Sequence, residues 1–444
     1  MKHVVASVAC AASIVSVAPG IRSAPEHLQL PAYEVQYFDG LGGSNSRGNS
    51  INNDGWVAGY SNLGTSPHRH ATLWIGGTPS DLGTLGNAAR PKNSSVVWPV
   101  KNTRGLVVGV SQTDSPDPWG ENWSCSAFFV PATSTGYRCV GFAWENGVMR
   151  PLPTLGGTHG FAAAANNLDQ IVGWAENTTR DETCTPPQVF QFRAVVWGPH
   201  GSQAHELPIL PGDSSSAATA INDQGQIVGI SGACDDAVGS ATAAHPVLWE
   251  NGSVVALPTM GGAEWNTPTA INESGDVAGF GDHAGDLVTE AFFWNRDSGL
   301  KRLGFLYSDH VLSEAFGMNN KGQVVGLSCS DTECHACLGQ NGTMQDLNAM
   351  VAPDDDVVLT HAMDINDQGV VTGRAFVKST GTLVAYVATP TEPSPAIARA
   401  TKRPSARVTL PATVISAILH PLGPRPAARF VRKTDLPGTV RIFR

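Results

Sequence analysis

The sequence predicts an all-β fold, a seven-bladed β-propeller of four-stranded blades whose ring is closed by an N-terminal strand. Three observations predict it. The pattern Asn-x-x-Gly-x-(Val/Ile)-x-Gly occurs seven times, with its Asn at 52, 102, 166, 222, 272, 319 and 366. One copy departs from it, carrying Asp169 in the first Gly slot. Between copies, short apolar alternations separated by turn residues follow one another with no helical period of useful length. Finally, the seventh copy ends after its third strand, while Tyr33–Gly43 ends in Phe38-Asp39-Gly40-Leu41-Gly42-Gly43 with no repeat before it. That orphan matches the fourth-strand ending Leu152–Gly157 and can complete the last blade.

The elements follow in chain order. Residues 1–24 read as an export signal: Lys2 and His3 precede the apolar stretch Val4–Ala18, and small residues end it. Residues 25–390 form the repeat domain. In each blade, strand a leads into the Asn-x-x-Gly turn, a type I turn followed by a residue with positive φ, whose Asn side chain caps it. Strand b leaves through the Val/Ile positions. Strand c is an Ala-x-Leu-Trp segment such as Ala71–Trp74, Gly141–Trp144, Ala194–Trp197, Pro246–Trp249 or Ala291–Trp294. Strand d ends as in Leu257–Gly262. Four strands in 40–50 residues, repeated, suit a propeller. Residues 391–444 are different material, with ten Lys or Arg against two acids, eight prolines and one apolar stretch, Val408–Leu419, and are expected to be a disordered basic tail.

Composition limits the function classes. Only 15% of the 444 residues are charged, against about 25% in an ordinary globular protein, and 48 are glycine. The net charge of −10 understates the acidity of the body, which holds 18 of the 28 basic and 36 of the 38 acidic residues. A nucleic-acid partner would need a basic face, so none is expected. No apolar run after the N-terminus is long enough to span a bilayer.

The strand-c segments His70-Ala71-Thr72, His335-Ala336-Cys337 and Glu290-Ala291-Phe292 resemble those of the HAF-type extracellular repeat, a bacterial family named for a His-Ala-Phe strand. The resemblance covers about residues 33–390 and departs in blades six and seven, which lack the Trp. It implies an exported or surface protein and supplies no catalytic residues.

The variable loops point to a binding face. From the last Gly of the motif to the start of strand c the numbering advances 12, 32, 21, 17, 12, 10 and 12. Variability is thus concentrated in the b–c loops of blades two to four, as on a rigid scaffold carrying a recognition surface. Blade two supplies Asp117, Trp119, Glu121, Trp123, Tyr137 and Arg138, and blade three supplies Arg180 and Asp181. Trp98 and Trp265 belong to inner strands or d–a links near the same face. Aromatic rings beside carboxylates suit sugars, so a cell-surface or environmental glycan is the expected partner. The plainer alternative is that these tryptophans pin long loops to their blades.

Six cysteines are disulfide candidates by position, with the connectivity left open and the bridge between neighbouring blades the least determined. Cys125 and Cys139 bracket the blade-two loop, Cys329 and Cys334 flank the short loop of blade six, and Cys184 and Cys234 sit in equivalent loops of neighbouring blades. Such bonds are each worth roughly 2–4 kcal/mol. Cys337 is expected to be a buried free thiol. His70, His245 and His335 occupy one repeat position in different blades, too far from the axis to converge, so no metal and no cofactor are expected. No Ser-His-Asp signature, phosphate loop or metalloprotease helix is present. The reading leans away from an enzyme. A secreted glycoside hydrolase or lyase using acidic residues at the propeller mouth is the first alternative, and a protein-interaction platform the second. Nothing demands a second copy of the chain.

Overall fold

The computed structural model describes residues 32–87, 92–121, 125, 128–129, 131–134, 136–235, 241–340, 342–391 and 407–419. The export signal, Trp123 and most of the tail lie outside them. The architecture is all-β and built of antiparallel four-stranded units. The N-terminal strand is β1 (Ala32–Tyr37). The first repeat holds β2 (Gly42–Ile51), β3 (Val57–Leu63), β4 (Arg69–Ile75) and β5 (Thr78–Asp81). The second holds β6 (Ser94–Ser95), β7 (Val107–Pro116), β8 (Tyr137–Glu145) and β9 (Val148–Pro151), and the third β10 (Gly160–Ala165), β11 (Ile171–Arg180), β12 (Phe190–Trp197) and β13 (Ala204–Glu206). Then come β14 (Ser215–Ile221), β15 (Ile227–Gly232), β16 (His245–Glu250) and β17 (Ser253–Ala256), followed by β18 (Thr267–Ile271), β19 (Val277–Asp282), β20 (Thr289–Asn295) and β21 (Gly299–Gly304). The sixth repeat is β22 (Leu312–Met318), β23 (Val324–Cys329), β24 (Cys334–Gln340) and β25 (Thr343–Asp346). The last contributes β26 (Val357–Ile365), β27 (Val371–Val377) and β28 (Thr382–Thr391). Within each repeat the strands pair in sequence order, and β1 pairs antiparallel with β28 from Ala32↔Thr391 to Tyr37↔Tyr386.

The repeat motif has a physical reason at each position. The third residue after the Asn has positive φ in all seven copies, between 71° at Gly322 and 96° at Gly105 for the glycines, and 59° at Asp169. Asp tolerates that region better than most side chains, which explains the single exception. The Val/Ile position is buried throughout (Val57, Val107, Ile171, Ile227, Val277, Val324, Val371) and fills the core between sheets. The final Gly lies against the first strand: a Cβ on Gly229 would overlap the Ala217 carbonyl, and one on Gly373 the His361 carbonyl. The first strand bulges next to this contact, between Ala218 and Ala220 and between Ala362 and Asp364, so backbone and backbone approach too closely for any side chain.

The Asn does two things at once. Asn222 Oδ1 accepts from the Gln224 and Gln226 amides at 3.1 and 2.9 Å, which caps its own turn. Its Nδ2 donates at 2.9 Å to the Asn272 carbonyl of the next repeat. The same donation runs from Asn52 to Asn102, to Asn166, to Asn222, and from Asn272 to Asn319 to Asn366. Asn366 then donates to the Asn52 carbonyl at 3.1 Å, so the series returns to its start.

Strand-c tryptophans tie neighbouring repeats in a second way. Trp197 Nε1 donates to Pro153 O and Trp249 Nε1 to Pro208 O, each reaching the fourth-strand ending of the preceding repeat. Trp74 Nε1 donates to Asp39 O at 2.8 Å, so the N-terminal segment stands to repeat one as a preceding fourth strand would.

One expectation needs correcting. Residues 407–419 of the tail are ordered, ending in the helix α1 (Ala412–Leu419), whose Val414, Ile415 and Ile418 are buried with Leu410 in a large apolar cluster. Burial of this apolar face offsets the ordering cost that composition alone suggested would prevail. No helix among the described residues is long and apolar enough to cross a membrane.

Candidate functional site

The long loop between β7 and β8 folds onto repeat three through its acids. Asp117 Oδ1 accepts from the Trp119 and Gly120 amides at 3.0 and 3.1 Å, and Oδ2 faces His159 Nε2 at 3.4 Å. Burial pushes this carboxyl up, but His159 and the two amides outweigh it and hold it below the usual carboxylate range. Glu121 is fully buried, and its Oε1 accepts from the Val189 and Phe190 amides at 2.8 Å each while Oε2 accepts from Thr158 Oγ1. Burial, with Glu176 nearby, pushes its carboxyl up. Expected as ligand contacts, Asp117 and Glu121 spend their oxygens within the protein, Asp117 on two amides of its own loop and on His159, Glu121 on Val189, Phe190 and Thr158 of repeat three.

Trp119 is the residue this scaffold presents. It is 50% exposed. The Arg180 guanidinium lies 4.2 Å from its ring centre, and Phe190 meets it edge-on at 5.8 Å. Arg138 donates from Nε to Pro116 O, and Lys92 Nζ sits 3.6 Å over the Tyr137 ring, so both residues brace the base of the loop. Asp181 closes its own turn by accepting from Thr183 N and Oγ1, and accepts from Gln191 Nε2. Trp98 and Trp265, expected near the surface, are 3% and 7% exposed. They come together with Phe128, Phe161 and Trp174 around a cavity of about 20 Å³, room for one water at most. Apolar neighbours from several repeats enclose them.

The cysteines pair as their positions suggested: Cys125–Cys139, Cys184–Cys234 and Cys329–Cys334, with Cys337 buried and free. The second bridge ties the β11–β12 loop to the β15–β16 loop, stapling repeats three and four on the side that carries Trp119. Asp181 lies beside its sulfurs, which are committed to the disulfide and leave no thiolate for a metal. The repeated histidines each take a carboxylate of their own: His70 with Asp81 at 2.8 Å, His245 with Asp213 at 3.0 Å, His335 with Asp346 at 2.8 Å.

Two further places lay outside the sequence reading. At the Asn-x-x-Gly turns a polar well of about 150 Å³ is lined by Asn53, Asn167, Asp223, Glu273, Asn320 and Asp367 with Lys101. Its side chains bond one another in series, Asn167 N to Asp223, Asp223 N to Glu273, Glu273 N to Asn320 and Asn320 N to Asp367. The second is a group of buried basic residues, Arg47, Arg374 and His361, around Tyr60, with Arg69 at its edge. An arginine in a first strand otherwise built of small residues was the available signal for it.

No family model matches the chain, and no curated protein is similar to it. Among solved structures it resembles the crystal structure of Porphyromonas gingivalis dipeptidyl peptidase 4, with 10% sequence identity and a TM-score of 0.39. The match covers 74% of this chain and 49% of that one, so this chain spans about half the length of that protein. At that level the likeness carries no argument about fold or function.

Proposed function

We propose that this protein is an exported seven-bladed β-propeller of the HAF-repeat type that binds a glycan through its long b–c loops. The ring is supported by the cycle of seven asparagine hydrogen bonds and by the pairing of β1 with β28. Export is supported by three disulfides, which persist in oxidising compartments. The observation that carries the glycan reading is Trp119, half exposed and held by Arg180 and Phe190. A ring fixed before the ligand arrives loses little entropy on binding, and its open face suits the apolar face of a sugar. Binding is favoured over hydrolysis because Asp117 and Glu121 are engaged in hydrogen bonds within the protein, to their own loop and to repeat three.

The test is a polysaccharide panel scored for retention and for released sugar together. Trp119→Ala is expected to lose about 2 kcal/mol, roughly thirty-fold in affinity, with the fold intact. Retention unchanged in that variant would remove the Trp119 shelf from the site. Sugar release would replace binding by catalysis, and a panel with no retained polysaccharide would turn the reading toward a protein partner.

A further inference from the structure

The C-terminal segment runs into the interior of the molecule. Its first described residue, Arg407, pairs with Asp309 and Glu333 and lies 5.0 Å over the Tyr307 ring. Leu410 N donates to Thr332 O at 2.8 Å. Leu410, Val414, Ile415 and Ile418 are buried in a cluster with Val97, Phe161, Ala217, Phe280, Phe316 and Met363, one side chain from each of repeats two to seven. At the far end of α1 the His361 ring donates to the Ile418 carbonyl.

Behind His361 stand the arginines. Arg374 Nη2 is 3.4 Å from His361 Nε2, and Arg374 Nη1 is 3.4 Å from the Tyr60 hydroxyl. The guanidinium carbons of Arg47 and Arg69 lie 5.3 and 4.3 Å from the centre of the Tyr60 ring. Arg47 donates from Nε to Asn49 Oδ1, and the buried Nε of Arg69 has no hydrogen-bond acceptor. Neither Arg47 nor Arg69 makes an ion pair among the described residues. Like charges brought together out of water are costly without a counter-charge. What reaches this cluster from α1 is the Ile418 carbonyl, which accepts from His361 beside Arg374.

We infer that Arg47, Arg69 and Arg374, gathered around Tyr60, form an oxyanion-binding site for a carboxylate or phosphate group, and that α1 is the built-in lid occupying its approach. Planar guanidiniums are the side chains best suited to such groups, which they grip by paired N–H donors. The electrostatics agree with the geometry. Burial pushes the Tyr60 phenol up, but Arg47, Arg374 and Arg69 outweigh it and pull it down to about 7. Burial draws Arg47 itself down to about 10, and the same effect with Arg374 and Arg47 holds His361 far below the usual imidazole range. The inference uses the ring reading to place the approach at the mouth, and it does not depend on the glycan.

Tyr60 supplies the readout. Tyr33 and Tyr37 are pushed up to about 12 and Tyr386 is raised as well, so phenolate absorbance appearing near neutrality, and absent from Tyr60→Phe, reports this site. The full-length protein and the full-length variant Arg407→Ala with Ile415→Asp, which unseats α1, would be titrated with inorganic phosphate and, separately, with acetate. The unseated variant is expected to bind one of these anions about tenfold more tightly than the unaltered protein and to show its near-neutral phenolate titration moved upward by the bound anion. Preference for phosphate or acetate then names the group recognised. Arg69→Gln in the unseated background should lose that binding by about tenfold. Equal binding with α1 seated and unseated, or binding indifferent to Arg69→Gln, would overturn the inference. Arg407→Ala alone alters no core side chain and serves if the double variant does not fold. It should tighten anion binding in the same direction, and no change there would equally overturn it.

Discussion

Asn222 separates what a residue reveals in sequence from what it does in the structure. As a turn cap it needs only its Oδ1, and Asp would serve as well. As a link in the cycle it needs the Nδ2 that donates to Asn272 O. Asn222→Asp would set a carboxylate oxygen against that carbonyl while keeping the cap. We expect Asn222→Asp to destabilise the protein at least as much as Asn222→Ala, each by about 2–3 kcal/mol in urea unfolding. A mild effect of Asp with a large effect of Ala would mean that capping is the whole role. The cap was legible because donor and acceptor lie within four residues. The link was not, because its partner is 50 residues away and a carbonyl has no sequence signature. The final Gly of the motif was visible as a repeat, but its reason, the clash with a bulged neighbouring strand, exists only once strands pair.

Elements show the same division. The β7–β8 loop was recognised by its length and its Trp and Asp content, yet Glu121 reaches amides 68 and 69 residues on, which no spacing rule encodes. The tail was judged by its prolines and basic residues, and those obscured a helical pattern. Val414, Ile415 and Ile418 fall on one face of α1, and they are buried together with Leu410 just before it. The segment's latch gives a pH prediction. The Arg407 guanidinium holds the Asp309 carboxyl below its usual range. A carboxyl depressed in the folded state stabilises fully above its unfolded value of about 3.8, and that contribution disappears as pH falls through the folded value. Hydrogen exchange in 407–419, corrected for intrinsic rate, should therefore accelerate relative to the sheets below about pH 4. In Arg407→Ala the segment should exchange faster already at neutral pH, with the acid step lost. An acid step of the same size in that variant would place the titrating group elsewhere.

For the molecule as a whole, the consequential contact is between the strand that precedes the repeats and the strand that ends them. β1 and β28 are separated by the entire repeat array, yet they pair over six residues, and Trp74 treats the segment after β1 as a neighbour's fourth strand. Joining ends so far apart costs only slowly more entropy than joining near ones, so a closed ring is accessible to a long chain. The pairing also covers the edge of β28, which would otherwise offer unpaired amides to another molecule. Consecutive amides in a strand point to opposite sides, so replacing both Val35 and Gln36 by proline must remove at least one donor facing β28. If the proposed ring acts as one cooperative body, Val35→Pro with Gln36→Pro lowers the midpoint of the whole unfolding transition while leaving it single, by about 3 kcal/mol or more. The uncovered β28 edge should then drive concentration-dependent association in sedimentation velocity. An unfolding midpoint equal to that of the unaltered protein, with faster exchange confined to residues 32–39, would mean that the N-terminal strand decorates an array already complete without it, and the ring would lose its closing argument.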